Sequence, residues 1–569
     1  MKSIKRLFFS KQTSVLSAAT IIMLMVVTSR VLGLVRQRTL AHFFVPQALA
    51  LFFAAFRLPD LIFEVLVFGT FSAAFIPVFT KALKKGRKDA WLLAGTITNI
   101  GLLIFLVLAV VVIIFANQFY GFLAPGFGAN HRDQIVLLSR ILFAAQGFFV
   151  VSYVLTAVLE SSRRFFVPAI APLFYNIGII AGTLFLSRPL GLLGPVVGVV
   201  LGAVLHFLIQ LPFAWKLGFR FLPTIKIDNE VKRVGKLALP RIIEVSFLQI
   251  TKTVELYLAS VISTASYTYF TFGNSLQLLP VGLFGTSVAK AALPTLSRQA
   301  DSPEEFRKTL FNALYQVSFL ILPVSAVLIV LRIPLVRLIF GTDIFSWEAT
   351  VQTGMVVSAF GAGVVFQALA ALLARGFYAL HDTKTPVVIS VLAITLNIAA
   401  DFILIKRFGL PAWGLAAAFS FSSLVQVLLL FLFISKKLSF RFSLKVIAPI
   451  IKAASASIIS GGVMYFILKI FDKSAWVKKL SFLGKLDAGR NIPFEKFVLD
   501  TKFTINLLAL TIFVIVVGII TYYLISLILR SEELKYFSGL VKRMLKSRTV
   551  GSISQSEQEP VSPMPIDNN

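Results

Sequence analysis

The chain contains no cysteine, which excludes disulfides and thiol chemistry, and its four histidines (His42, His131, His206, His381) are scattered without zinc-ligand spacing. Acidic residues are scarce as well, 25 Asp and Glu against 55 Lys and Arg, for a net charge of +30. There is no Gly-rich phosphate loop with its Lys, no nucleophile elbow and no polar stretch of domain size. Together these absences exclude the soluble enzyme classes and predict a protein that is not an enzyme.

What fills the chain instead is apolar sequence. Hydrophobic residues make up 57% and charged residues 14%, with a mean hydropathy of +0.88. A helix needs about 20 apolar residues to cross a bilayer, and such runs recur from end to end. Alternating ten-residue strands are absent, so the expected fold class is an all-α polytopic membrane protein, a helical bundle rather than a barrel. Fourteen spans are expected, at 15–36, 49–79, 91–116, 135–159, 166–186, 191–215, 237–262, 271–297, 312–340, 350–378, 386–405, 412–434, 446–470 and 503–529. The second, ninth and tenth are long enough to tilt, kink or extend beyond the membrane.

The positive charge suits nucleic acid in amount but not in placement. Lys/Arg clusters fall on alternate loops, KALKKGRK (81–88), SSRRF (161–165), 216–236 and SKKLSFRFSLK (435–445), whereas GTDIFSWE (341–348) and STASYT (263–268) are almost free of it. That pattern predicts a basic cytoplasmic face on anionic lipid, both termini in the cytoplasm and no nucleic-acid partner. Loop 472–502 dissents, being expected outside with seven Lys/Arg. The N-terminal run reads as a retained first span, since no small-residue cleavage site follows it.

The expected organisation is a cytoplasmic segment 1–14, six spans over 15–215, a cytoplasmic linker 216–236 and six spans over 237–434. Spans 13 and 14 occupy 435–530 around the outer loop 472–502, and 531–569 forms a basic amphipathic helix and a tail. Six spans before the linker and eight after it suggest two bundles facing each other around a central cavity, the layout of alternating-access transporters.

Charges inside the apolar runs are the functional signal, because each costs a few kcal/mol unless it meets water, a partner or a ligand. Arg30 lies deep in the first span, Arg36 and Arg38 near its end, and Arg57 early in the second. Guanidinium forks suit phosphate oxygens, so Arg30, Arg36 and Arg57 form a candidate anion site, while Arg38 reads as snorkelling to the interface. An internal salt bridge competes, because Arg57, Asp60 and Glu64 share a helix face. Pro59 is expected to kink this helix and free backbone groups towards a cavity. A second constellation is anionic: Glu255 in span 7, with Asn397 and Asp401 four apart in span 11. Their oxygens suit Na⁺ or a proton; the competing reading pairs Glu255 with Lys252 and Asp401 with Lys406.

Several segments resemble one family: SRVLGLVRQRTLAHFF (29–44), FFAAFRLPDLIFEVLVFGTFSAAFIPVF (52–79), APGF (124–127), SSRRFFVPAIAPLFYN (161–176), LLPVGLFGTSVAKAALPTLS (278–297) and RGFYALHDTKTPV (375–387). They are similar to the MurJ (MviN) family of lipid II flippases, in the multidrug/oligosaccharidyl-lipid/polysaccharide superfamily, in order over about 15–530. The resemblance implies a transporter of the bacterial inner membrane that moves lipid II, the undecaprenyl-pyrophosphate-linked peptidoglycan precursor, to the outer leaflet by alternating access. It implies that Arg30, Arg36 and Arg57 hold the pyrophosphate. Glu255, Asn397 and Asp401 match its Na⁺ site, with no clean counterpart for a hydroxyl ligand near Phe419 and Ser420. Membrane potential, worth roughly 2.3 kcal/mol per charge per 100 mV, is an expected drive.

The sequence departs from the family's charge pattern at four places. Gln37 stands for an Asp, Phe63 for an Arg (with Glu64 at a neighbouring, often basic, position), Phe68 for an acidic residue and Ser275 for an Arg; Lys290 is a candidate substitute cation. These departures keep a second reading open, a same-fold transporter of another polyprenyl-linked glycan or of a drug. A third is a non-transporting scaffold that recruits cell-wall synthesis enzymes through its tail. No cofactor beyond a coupling ion is expected, and a monomer is the expected state.

Overall fold

Long apolar runs broken by short polar turns give helices joined by tight connections, and the computed structural model is built that way. It describes residues 15–68, 74–439, 444–472, 501, 503–535 and 537–538, with no β-strand among them. The segment 1–14, nearly all of loop 472–502 and most of the tail 531–569 lie outside the described residues. Among the described residues, twelve helices are long and apolar enough to cross a membrane. Helix α1 (Val15–Phe43) and the broken run Pro46–Lys85 occupy the places of the first two expected spans.

The second span is the irregular one. It divides into α2 (Pro46–Ala55), α3 (Arg57–Phe63), a π-helical stretch Glu64–Phe68 and α4 (Ile76–Lys85). Pro59 explains the break: it has no N–H, so the carbonyl four residues back, on Ala55, has no helical partner. That carbonyl does not open onto a cavity as the sequence suggested. The hydroxyl of buried Tyr120 donates to it at 2.9 Å and lies 3.0 Å from Ser139 Oγ.

The remaining N-terminal helices are α5 (Arg87–Ile114), α6 (Ala116–Leu123), α7 (Ala129–Ser161), α8 (Phe166–Leu190) and α9 (Leu193–Leu217). Helices α7, α8 and α9 pack together, with α1 along α8. Lipid tails are as apolar as the side chains, so contact inside a membrane depends on close fit. Glycines supply it here: a Cβ on Gly178 would overlap the backbone of Gly202, and one on Gly182 that of Gly198.

Gly218, at φ 106°, ends α9, and residues 219–228 cross to α10 (Asn229–Ile262). Asp228 caps α10 by accepting from the Val231 N–H at 2.8 Å. Helix therefore begins inside the expected linker, well before residue 237. Asn99 of α5 pins the connection by donating to the carbonyls of Leu222 (2.6 Å) and Thr224 (3.0 Å).

The second bundle comprises α10, α11 (Ser266–Pro280), α12 (Ser287–Arg298), α13 (Pro303–Val330), α14 (Arg332–Phe340), α15 (Trp347–Ala379), α16 (Lys384–Phe402) and α17 (Trp413–Lys437). Of the three long spans, the ninth divides at Leu331 between α13 and α14, whereas the tenth is the unbroken α15. Helices α18 (Leu444–Phe471) and α19 (Thr504–Ile528) pair with each other and reach the bundle through α13 and α14.

The two bundles meet at both ends. Away from the basic loops, Thr268 donates to the Pro46 carbonyl (2.6 Å) and Thr342 to that of Ala41 (2.8 Å). Arg38 does not snorkel freely; it donates to the carbonyls of Leu338 (2.6 Å) and Ile339 (3.1 Å), in the last turn of α14. That is where a helix dipole favours a cation. Gly126 of the APGF segment lies so close to the Ser260 backbone that a Cβ would overlap it. At the basic end, Lys85 reaches Glu230 at 3.0 Å.

Two outcomes follow from this packing. Gly178→Ala forces α8 and α9 apart and lowers the thermal unfolding temperature, at a cost of about 1–3 kcal/mol; Gly33→Ala, with nothing within 4 Å, leaves it unchanged. At the α15–α16 turn, Asp382 accepts from Lys437 Nζ at 2.8 Å, and this bond holds its carboxyl down at about 2. A depressed carboxyl contributes stability that is complete above about pH 4 and lost as pH falls through 2. Melting curves of wild type and Asp382→Asn should therefore differ at pH 6 and converge near pH 2.

Candidate functional site

A π-helical turn inserts one residue into the helical repeat and re-aims the side chains around it. Here it carries Glu64 towards α10, just after the break that frees Arg57. The expected salt bridge within Arg57, Asp60 and Glu64 does not form. Each takes a partner from another helix.

Arg57, 4% exposed, donates Nη2 to the side-chain and backbone oxygens of Gln249 on α10. Gln249 in turn donates to Glu64, which also accepts from Lys252 Nζ at 2.8 and 3.1 Å. Asp60 accepts from Gln146 of α7 at 2.6 Å. A chain Arg57–Gln249–Glu64–Lys252 thus runs from one bundle to the other. The Nε of Arg57 remains buried without an acceptor. An unsatisfied buried donor costs about 1–3 kcal/mol, so this is a place where an anion adds stability.

The other arginines stand apart from this chain. Arg30 is exposed and makes no hydrogen bond or ion pair among the described residues. Arg36 is partly exposed on α1, within electrostatic reach of Tyr175 on α8. Lys290 projects exposed from α12 and does not join the network. Lys252 does.

Two of the departures from the family pattern meet each other. Gln37 on α1 donates to Ser275 Oγ on α11 at 2.6 Å, and Ser275 donates to the Thr271 carbonyl. Where the resemblance anticipates an Asp and an Arg, a neutral hydrogen bond joins the bundles. Phe63 packs edge-on against Tyr153, ring centroids 5.4 Å apart, so an aromatic ring stands where the resemblance anticipates an Arg. The side chain of Phe68 lies outside the described residues.

In the second bundle, Asn397 (3% exposed) and Asp401 (0%) lie one turn apart on α16. Both carboxylate oxygens of Asp401 and the amide nitrogen of Asn397 have no hydrogen-bond partner. The competing pairings fail, since Lys252 is engaged by Glu64 and Lys406 stacks over the Tyr257 ring at 5.7 Å. Helix α16 packs on α10, and Glu255 lies within electrostatic reach of Asp401. The hydroxyl of Ser420 donates to the Ala359 carbonyl at 2.7 Å. What remains is two carboxylates and an amide, hard oxygen donors suited to Na⁺.

Sequence reasoning missed Gln249 and Gln146. Their signal was present: a glutamine inside an apolar helix needs partners as an ionised group does.

The geometry has counterparts among known proteins. The family model described as "Lipid II flippase MurJ" matches residues 39–487. A Haemophilus influenzae protein named "Probable lipid II flippase MurJ" is 30% identical over 482 residues, covering 81% of this chain and 93% of that one. The solved structure "Lipid II flippase MurJ, inward closed conformation" superposes with a TM-score of 0.73 over 90% of this chain and 99% of that one, at 24% identity. An inward-facing multidrug resistance MATE transporter of the MOP superfamily shares the fold, with a TM-score of 0.60 over 72% of this chain and 94% of its own, at 14% identity. With this fold and a family match over most of its length, the chain belongs to the lipid II flippase MurJ family.

Proposed function

We propose that the protein moves lipid II from the inner to the outer leaflet of a bacterial cytoplasmic membrane by alternating access of its two bundles. The observation that carries this reading is Arg57, a buried arginine at a helix break within an apolar run, bridging the bundles while its Nε lacks an acceptor. A pyrophosphate oxygen completes that guanidinium, and Arg30 and Arg36 supply the further cations. Lys252 takes the place first considered for Lys290.

Coupling to a cation rests on Asp401, Asn397 and Glu255. A buried carboxylate without partners is costly in the membrane unless a proton or cation neutralises it. When bound, Na⁺ would supply that neutralising charge between α10 and α16. The basic loops support a cytoplasmic side for Lys85, Glu230 and both termini. Entry of the headgroup from that side requires the Lys85–Glu230 contact to part, and release requires the Gln37–Ser275 and Arg38–Leu338 contacts to part.

A second reading has its own support. The neutral Gln37–Ser275 pair replaces an Asp and an Arg, and Phe63 replaces a further Arg, a charge pattern different from the family's that suits a different polyprenyl-linked glycan. Rescue of cells depleted of their lipid II flippase separates the two: rescue supports lipid II, and failure there with rescue of another glycan pathway overturns it.

In vesicles loaded with lipid II, purified protein should expose the lipid on the far leaflet. Arg57→Ala and Arg36→Ala should slow this about ten- to hundredfold, the loss of one charge-assisted contact. Asp401→Asn should leave lipid II binding intact and abolish any stimulation by a Na⁺ gradient. Unchanged transport in the arginine variants would show that these residues only support the fold.

A further inference from the structure

Inside the N-terminal bundle is a cavity of about 210 Å³ that the transport steps above do not use. Its wall has two kinds of surface. The rings of Phe63, Phe149, Tyr153, Tyr175 and His206 form one, and the oxygens of Asp60, Glu64 and Gln146 form the other. The rings are fixed by one another: Phe149 lies edge-on to Tyr175 and to His206, centroids 5.1 Å apart in both cases. Ser152 Oγ, 2.6 Å from Nδ1, holds the His206 ring in place.

The polar side has unused acceptors. Gln146 is 5% exposed, and its amide nitrogen donates to Asp60 Oδ1 at 2.6 Å. Its carbonyl oxygen is buried with no hydrogen-bond partner. Asp60 forms no ion pair among the described residues; Arg57, three residues earlier, donates to Gln249 instead. Glu64 is already neutralised by Lys252 from the other bundle.

Three classes of occupant can be weighed. An apolar tail would leave the acceptors of Gln146 and Asp60 desolvated and unmet. An anion would face two carboxylates. A bare metal ion would use the oxygens but leave the ring wall and most of the volume without a role. A pyranose satisfies both surfaces: its C–H faces lie against rings and its hydroxyls donate to carboxylate and amide oxygens. The cavity also borders Tyr175, the residue within electrostatic reach of Arg36. The first sugar of a lipid-linked saccharide is bonded directly to the pyrophosphate, so a sugar there keeps its phosphate near Arg36.

We propose that this cavity is a saccharide subsite, in which Asp60 and Gln146 accept hydrogen bonds from the sugar nearest the pyrophosphate of the lipid-linked substrate. The inference rests on the transport reading and adds the part of the site that tells a glycosylated carrier from a bare one.

Native mass spectrometry of the full-length protein tests it, with lipid II and sugar-free undecaprenyl pyrophosphate as the two probes. Wild type should bind lipid II more tightly. Asp60→Asn and Gln146→Leu should each weaken lipid II about tenfold, the loss of one hydrogen bond to a charged or buried acceptor, and leave undecaprenyl pyrophosphate unchanged. Retained binding of the sugar-free lipid also shows that the variants are folded. Variants that bind lipid II like wild type, or that weaken both lipids equally, would overturn the subsite. Equal wild-type affinity for the two lipids would overturn it while leaving the pyrophosphate site standing. A wild type that binds neither lipid would remove the transport reading itself.

Discussion

The side-chain chain Arg57–Gln249–Glu64–Lys252 is the interaction on which the rest of the structure depends. A buried guanidinium is tolerated only when hydrogen-bonded, and stripping a partner from such a pair costs about 3–5 kcal/mol. The fold provides that partner by interrupting the second span. Pro59 breaks the helix, the hydroxyl of Tyr120 takes up the stranded Ala55 carbonyl, and the π turn at Glu64–Phe68 turns a carboxylate towards α10. Irregular backbone at membrane depth survives only where protein covers it or a cavity borders it. Here both conditions hold, with Tyr120 behind the break and the Asp60 cavity beside it.

The bundles differ in how they are held. Within the first, glycine contacts between α8 and α9 give a rigid body with little freedom to repack. Between the two, polar contacts stand beside apolar packing: the Arg57–Gln249–Glu64–Lys252 chain, a threonine on a carbonyl, an arginine on a helix end, a glutamine on a serine and one exposed lysine on a glutamate, with Phe53 edge-on to Phe272. Exposed ion pairs contribute about 0–1 kcal/mol. Stiff bundles joined mainly by side-chain contacts that can exchange partners can rock without unfolding, which is what alternating access asks of a scaffold.

The coarse architecture was legible because hydrophobic run length and loop charge report the bilayer directly. Long apolar helices in two bundles, and the burial of Arg57, Asn397 and Asp401 within them, are consistent with that reading. Partner choice was not legible. Spacing put Arg57, Asp60 and Glu64 on one face, but the proline break and the π turn aim Arg57 and Glu64 at α10 and Asp60 at α7, and spacing rules assume an unbroken helix. Lys252 illustrates the same limit: one turn from Glu255 in sequence, it is held by Glu64 across the bundle boundary. Gln37 and Ser275, read singly, looked like lost charges; 238 residues apart, they form one hydrogen bond.

The central claim is that lipid II parts the bundles at their basic end. The absence of cysteine makes a direct measurement available, spin labels on Lys84→Cys and Arg233→Cys, exposed positions beside the Lys85–Glu230 contact. Their separation is read by pulsed electron resonance in lipid nanodiscs. The account predicts one short distance without substrate and a second, longer population on adding lipid II, but not on adding an uncharged polyprenol. A single unchanged distance under all three conditions would contradict it.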